Sequence, residues 1–243
     1  MTDHKHLTLL CENVDLWNEW RDNHPHIIPD LKNANLSNLN LRGANLTDAN
    51  LQGALLRKTV LRGASLKRAK LNYADLTQAD LSQADLFQAN LSGAFLGHAD
   101  LSKANLREAN LNHTYLLETY LTQTILQSAN LLQADLTKAY LVETDLTNAN
   151  LERANLTEAT LINIKALNAN FKVANFTKSC IANWIVNETT SLDYVITDDD
   201  WQIQLLQEKT QSLSENKIPW KIPQTSDLLE ITSKQERLMS LFN

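Results

Sequence analysis

Long apolar runs are missing from this chain of 243 residues. No segment reaches the ~18 uninterrupted apolar residues that a spanning helix needs. The start, MTDHKHLTLLCENVDLWNEW, has no basic region leading into an apolar stretch. A cytoplasmic protein with no membrane segment is the expectation. Glycine and proline are scarce, at five and four, while hydrophobic residues make up 43% and charged residues 21%. That balance excludes collagen-like and disordered chains and suits a globular protein of one or two domains. Cysteine is limited to Cys11 and Cys180, far apart in the chain. A disulfide would require those remote segments to meet, so free thiols are expected.

Catalytic signatures are missing as well. The sequence contains no GxSxG, HExxH, P-loop, GxGxxG or paired CxxC. No enzymatic activity and no cofactor are therefore expected. The pairs His4/His6 and His24/His26 have a spacing that could suit a metal, but both lie in short polar stretches at the ends of a helix, without cysteine nearby. Solvated histidines are the simpler reading.

What is present is a period of five. From Leu31 to Ile181 a bulky apolar residue falls at every fifth position, in units such as Ala34-Asn35-Leu36, Ala79-Asp80-Leu81 and Ala104-Asn105-Leu106. Five fits neither the helical period of 3.6 nor the strand period of 2, so each unit must contain a turn. The residue two before each Leu is usually Ala, with Thr at 59, 114, 119, 124 and 144. A small and a large residue on either side of one polar position both point inward, and the other three positions face water. The pattern weakens at Ile164-Lys165-Ala166-Leu167, where the central Leu is lost and Ile replaces Ala. A bulge or distorted corner is expected within 161–170.

Three segments follow. Residues 1–30 are read as an N-terminal cap: one helix over about 3–24, with Leu7, Leu10, Val14 and Trp17 on one stripe, ended by Pro25. Such a helix would cover the apolar core of the first repeat. Residues 31–183 are the repeats. Residues 184–243 form a separate tail, with a helix from about Trp201 to Leu213, an extended Lys217–Pro223 and a final helix from about Asp227. Net charge over the three segments is -4, +3 and -5, so the repeats are slightly basic within a chain of -6.

The repeating A(D/N)LXX unit resembles the pentapeptide repeat family, of the bacterial type with an N-terminal capping helix, over about 150 of the 243 residues. The resemblance implies an all-β solenoid, a right-handed quadrilateral β-helix with four units per coil and about seven to eight coils. With that geometry residues 20 apart stack. Asn90, Asn110, Asn130, Asn150 and Asn170 then form an amide ladder, and Glu118, Lys138, Glu158 and Lys178 form a line of alternating charge. His98 and His113 fall on different sides.

Departures from the repeat mark candidate surfaces. Outward positions carry Phe95, Tyr115, Leu117, Tyr120, Ile125, Leu132, Tyr140 and Val142, read as one interaction patch, to be covered by the tail or by a partner. Arg57, Lys58, Arg62, Lys67, Arg68 and Lys70 form a basic belt, with the ring of Asp75, Asp80 and Asp85 beside it for turn chemistry and charge pairing. A non-enzymatic protein-binding scaffold is the leading functional expectation, with homodimers through the C-terminal helix or coil ends a further possibility. The resemblance also implies an alternative, since some family members mimic duplex DNA and bind type II topoisomerases such as gyrase. Mimicry needs a strongly negative rod standing in for one phosphate charge per ~1.7 Å of duplex. Repeats of charge +3 disfavour it, and nucleic acid is not an expected partner either.

Overall fold

A computed structural model describes residues 4–198. Two helices, α1 (His4–Glu12) and α2 (Val14–Asn23), precede a parallel coil. Backbone pairing joins residues 20 apart, beginning with Asp30 to Asn50, and most of the coil is built from isolated bridges. Three short parallel strands, β1 (Tyr140–Val142), β2 (Thr160–Ile162) and β3 (Cys180–Ala182), pair in the order β1-β2-β3.

The five-residue period is set by the turn. Each unit closes with a bond such as that from the Ala44 N–H to the Leu41 carbonyl (3.0 Å), and the third turn residue has positive φ, from Glu118 at 53° to Gly43 at 68°. Only Gly43, Gly53, Gly63 and Gly93 meet this demand with glycine. Elsewhere side-chain-bearing residues adopt it, at a cost offset by the turn bond and the ladder. The ladder links successive coils, as when the Leu51 N–H donates to the Lys70 carbonyl and the Lys70 N–H to the Ala49 carbonyl, at 2.8 and 2.9 Å. At ~4.8 Å per coil the coil from Asp30 to Ile196 is roughly 40 Å long.

The inward Ala and Leu residues form one continuous core. Threonine substitutes for Ala without leaving a buried hydroxyl unpaired. Thr59, Thr119, Thr124 and Thr144 donate to the carbonyls of Leu36, Leu96, Leu101 and Leu121 in the preceding coil, at 2.7 to 2.9 Å.

The structure changes three expectations. First, the N-terminal segment is two helices. Asn13 is extended (φ -163°), and its side chain caps α2 by accepting from the N–H groups of Asp15 and Leu16. The break lets Leu10 of α1 and Trp17 of α2 both bury against the first coil. The cap also pairs polar groups: Trp17 Nε1 donates to the Asn45 carbonyl (2.9 Å), and Arg21 Nη2 to that of Thr47 (3.0 Å). The Asn18 side chain accepts from the Asn45 N–H (2.8 Å).

Second, residues 161–170 contain no bulge. Leu161 pairs with Leu141 and Ile181, and Lys165 with Asp145 and Ile185, in unbroken register. Ile164 and Ala166 are both fully buried, so the large and small residues have exchanged places. The corner does change, because the turn opens into strand at β1, β2 and β3. In these coils the residue at the small position has grown along one stack, from Ala104 through Thr124, Thr144 and Ile164 to Trp184.

Third, the coil does not end at Asn183. Pairing continues as Asn170 to Ser191 and Asn175 to Ile196, a spacing of 21 that marks a one-residue insertion. Thr190 donates to the Ala166 carbonyl (2.8 Å), as the inward threonines do. A cluster of Phe171, Phe176 and Trp184, with centroids 5.2 to 5.7 Å apart, fills the core here. The proposed tail therefore starts after the last coil, and its two helices and extended stretch lie outside the described residues.

Candidate interaction surfaces

A coil of four pentapeptides has four sides, numbered here by the inward residues Leu31, Leu36, Leu41 and Leu46. A residue's side follows from its position modulo 20. The eight residues read as one patch are divided by this rule. Phe95, Tyr115 and Leu117 stand on the second side, Tyr120, Tyr140 and Val142 on the third, Ile125 on the fourth and Leu132 on the first.

On the second side, Phe95 and Tyr115 pair through their backbones and stack their rings at 4.9 Å, only 4° from parallel. Register forces this geometry, since adjacent coils hold the two rings at the spacing of stacked aromatics. Phe95, Tyr115 and Leu117 are 46%, 50% and 40% exposed. Two residues absent from the sequence-based patch join them. Leu55 lies in the same file, which runs Leu55, Asp75, Phe95, Tyr115. Tyr73, on the corner between the first and second sides, lays its ring over Gly93. A Cβ on Gly93 would lie 2.7 Å from Tyr73 Cε1. The signal that could have found Leu55 was its position 40 residues before Phe95.

On the third side, Tyr120 and Tyr140 stack at 5.1 Å and 6°. They close one end of a shallow groove of about 520 Å³, which also holds Lys58, Val60, Asp80, His98 and Glu118. Burial pushes the Tyr120 phenol up to about 12, helped by Tyr140, Glu118 and Asp100. His98 Nδ1 lies 3.3 Å from a Glu118 carboxylate oxygen.

The basic belt is spread over all four sides and is half paired. Arg57 pairs with Asp75, Lys67 with Asp85 at 3.1 Å, and Arg68 with Asp48 through two bonds of 2.7 and 2.8 Å. The bond from Arg68 holds the Asp48 carboxyl below its usual range. Burial pushes the Asp75 carboxyl up, but bonds from Thr77 and Arg57 outweigh it. Lys58, Arg62 and Lys70 point from the second-third corner, the third side and the first side, and do not converge.

The amide ladder is present. Asn110, Asn130, Asn150 and Asn170 each donate to the Asn 20 residues before, at 3.1 to 3.3 Å. Of the charged line, Lys138 and Glu158 come within 3.7 Å. His6 and His24 serve the cap. His6 Nδ1 accepts from the Asp30 N–H (3.2 Å), and His24 stacks on Trp20. Among the described residues no cluster of three or more His, Cys, Asp or Glu could hold a metal ion. No helix among them is long and apolar enough to cross a membrane. Cys11 and Cys180 are not joined in a disulfide.

Pentapeptide repeats match this sequence in eight copies, over residues 30–63, 44–83, 84–116, 114–153 and 154–183. The chain belongs to the pentapeptide repeat family. Its fold is accordingly a right-handed β-helix solenoid. Among solved pentapeptide repeat proteins it is similar to HetL, involved in heterocyst differentiation regulation in the cyanobacterium Nostoc sp. strain PCC 7120. Identity is 28% over 69% of this chain and 86% of HetL, with a TM-score of 0.42. Full-length QnrB1, a plasmid-mediated fluoroquinolone resistance protein, is 20% identical over 75% of this chain and 89% of its own, with a TM-score of 0.34. A pentapeptide repeat protein of the Arabidopsis thaliana thylakoid lumen is 27% identical over 54% of this chain and 66% of its own, with a TM-score of 0.17. No curated protein matches the chain.

Proposed function

We propose that this pentapeptide repeat protein is a non-enzymatic binding scaffold that presents the second side of its rod to a protein partner. The observation that carries this reading is the exposed, parallel Phe95–Tyr115 stack with Leu117 on the same side, Tyr73 on the adjoining corner and Leu55 two coils back beyond Asp75, all on a stiff frame. Aromatic rings already ordered by the fold lose little side-chain freedom on binding, which favours them as anchors. The frame is explained by its own packing, so these outward apolar residues are surplus to folding. Catalysis is disfavoured because the groove is shallow and the outward polar groups diverge. The gyrase-binding DNA mimic is disfavoured because Lys58, Arg62 and Lys70 give three sides positive charge.

The test is crosslinking capture from native lysate with wild type, with Phe95→Ser/Tyr115→Ser, and with Tyr140→Ser as a control on the third side. A partner retained by wild type and the control but lost by the double variant supports the reading. Identical capture by all three rejects it. Light scattering at two concentrations tests the separate proposal of a homodimer through the coil end or C-terminal helix, and a constant mass rejects it.

A further inference from the structure

The third-side groove joins an aromatic stack to carboxylates that the chain does not neutralise. Its central file runs Val60, Asp80, Asp100, Tyr120, Tyr140, four coil steps or about 19 Å at ~4.8 Å each. Tyr140 covers one face of the Tyr120 ring. On the other face the file neighbour is Asp100, too short to cover a ring, so an aromatic surface opens into the groove, with Glu118 lining the same space.

Asp80 and Asp100 face each other directly across the ladder, and among the described residues they are the one pair of acids that do so. Like charges in that arrangement oppose folding. Elsewhere the chain supplies a cation, since Asp75 pairs with Arg57, Asp85 with Lys67 and Asp145 with Lys165. Asp80 and Asp100 receive none. Each spends Oδ1 on its own turn, Asp80 accepting from the Ser82 N–H (2.9 Å) and Oγ (2.6 Å) and Asp100 from the Ser102 N–H (2.8 Å). No group among the described residues bonds to either Oδ2. The turn itself does not demand an acid, because Asn90 accepts from the Ser92 N–H (3.1 Å) in the same way. These two charges are surplus to folding, and they lie beside the uncovered ring.

A complementary group is flat, positively charged, and able to donate from its edge while its face rests on a ring. Guanidinium has this form, whereas an ammonium is a compact point charge. A planar cation at the level of Asp100 continues the Tyr140–Tyr120 stack by one layer, with the Asp80 and Asp100 carboxylates beside it. Lys58 lies about two coil steps, or ~10 Å, from that level and opposes a run of basic residues along the groove. The groove is also longer than one side chain, so it has room for the extended segment that bears the arginine.

We propose that the third-side groove docks an arginine of a partner protein, its guanidinium stacked on the uncovered face of Tyr120 and paired with Asp80 and Asp100. A corner of the rod separates this contact from the second side. It does not rest on the proposed function.

The experiment titrates the full chain, carrying ring-labelled tyrosine, with the blocked tripeptide Ac-Ala-Arg-Ala-NH2 and with its lysine and citrulline counterparts. Citrulline keeps the planar end of arginine without its charge. Single Tyr→Phe variants assign the five rings, 73, 115, 120, 140 and 194. The arginine peptide is expected to shift the Tyr120 ring saturably at millimolar concentration and to leave Tyr73 and Tyr115 in place. The lysine and citrulline peptides should bind about tenfold more weakly or less. Asp80→Asn/Asp100→Asn keeps both turns and removes the like-charge pair, so its urea midpoint should equal or exceed that of wild type while arginine-peptide binding falls about tenfold. Phe95→Ser/Tyr115→Ser should bind the peptide as wild type does, which keeps this contact distinct from the second-side reading. An unmoved Tyr120 ring, equal binding of the arginine and citrulline peptides, or undiminished binding by the Asp80/Asp100 variant would each overturn the proposal. So would a lowered urea midpoint in that variant, which would make the two carboxylates structural. Free arginine binding as tightly as the tripeptide would assign the groove to a small molecule, which also overturns it.

Discussion

Ile164 fills the core space that Ala166 leaves, two residues along the same side and both without exposed surface. The exchange holds the 20-residue register through a unit that breaks the repeat motif. Close packing requires the summed volume to be right, not the order of the side chains.

The pair should therefore be strongly coupled. Ile164→Ala removes buried methyl groups where Ala166 cannot compensate, and is expected to cost ~2–5 kcal/mol. Ala166→Leu alone overpacks the corner at a cost of ~1–3 kcal/mol. The double variant restores the ordinary motif and should be more stable than the sum of the two predicts. Urea denaturation of all four proteins measures this, and simple additivity would show that the residues do not share one space.

Much of this architecture is legible in the sequence, because the inward positions obey a short period. Leu46 and Ala49 announce themselves within five residues, and the Asn90 to Asn170 ladder follows once residues 20 apart are stacked. The surfaces are harder to read for a physical reason: contact is set by position modulo 20, while the eye groups neighbours along the chain. Ile125 and Tyr120 are one repeat apart and face different sides, whereas Leu55 and Phe95 are 40 apart and share a file. The helix break at Asn13 was hidden because Asn interrupts a stripe whose apolar residues keep helical spacing across it. The insertion between Ile185 and Ser191 was hidden because it removes the period that would reveal the last coil.

Gly93 and Gly43 separate two effects of glycine. Both have positive φ, 65° and 68°, so Ala at either should cost ~1–2 kcal/mol for the backbone alone. A Cβ on Gly43 meets nothing within 4 Å, while one on Gly93 drives Tyr73 from its resting place. Gly93→Ala should therefore shift the Tyr73 ring resonances and weaken binding on the second side, and Gly43→Ala should do neither. An unmoved Tyr73 ring in Gly93→Ala would show that the ring does not rest on this glycine.

Trp17 joins cap and coil through both packing and a hydrogen bond. Trp17→Ala is expected to cost ~3–5 kcal/mol through lost burial. Trp17→Phe keeps most of the apolar contact but leaves the Asn45 carbonyl without its donor, for about 1 kcal/mol. Chemical denaturation ranks the two variants, and amide exchange should show faster opening near Asn45–Thr47 in both. Equal protection of those amides in wild type and Trp17→Ala would mean that the cap does not secure the first coil.

The Tyr120 phenol gives the groove a pH signature. Burial, then the neighbouring Tyr140, Glu118 and Asp100, push it up to about 12 from an ordinary value of 10.0. A raised folded value means that the folded state holds its proton more tightly than the unfolded chain. Tyr120 therefore contributes stability below 10 that is lost as pH rises from about 10 through about 12. At pH 11 the Tyr120 ring carbons should still report a protonated phenol. Glu118→Gln should lower the transition only partly, because burial is the larger cause. Ionisation of Tyr120 near 10 in the wild type would show that the ring is solvated, and that Glu118 and Asp100 do not act on it across the groove.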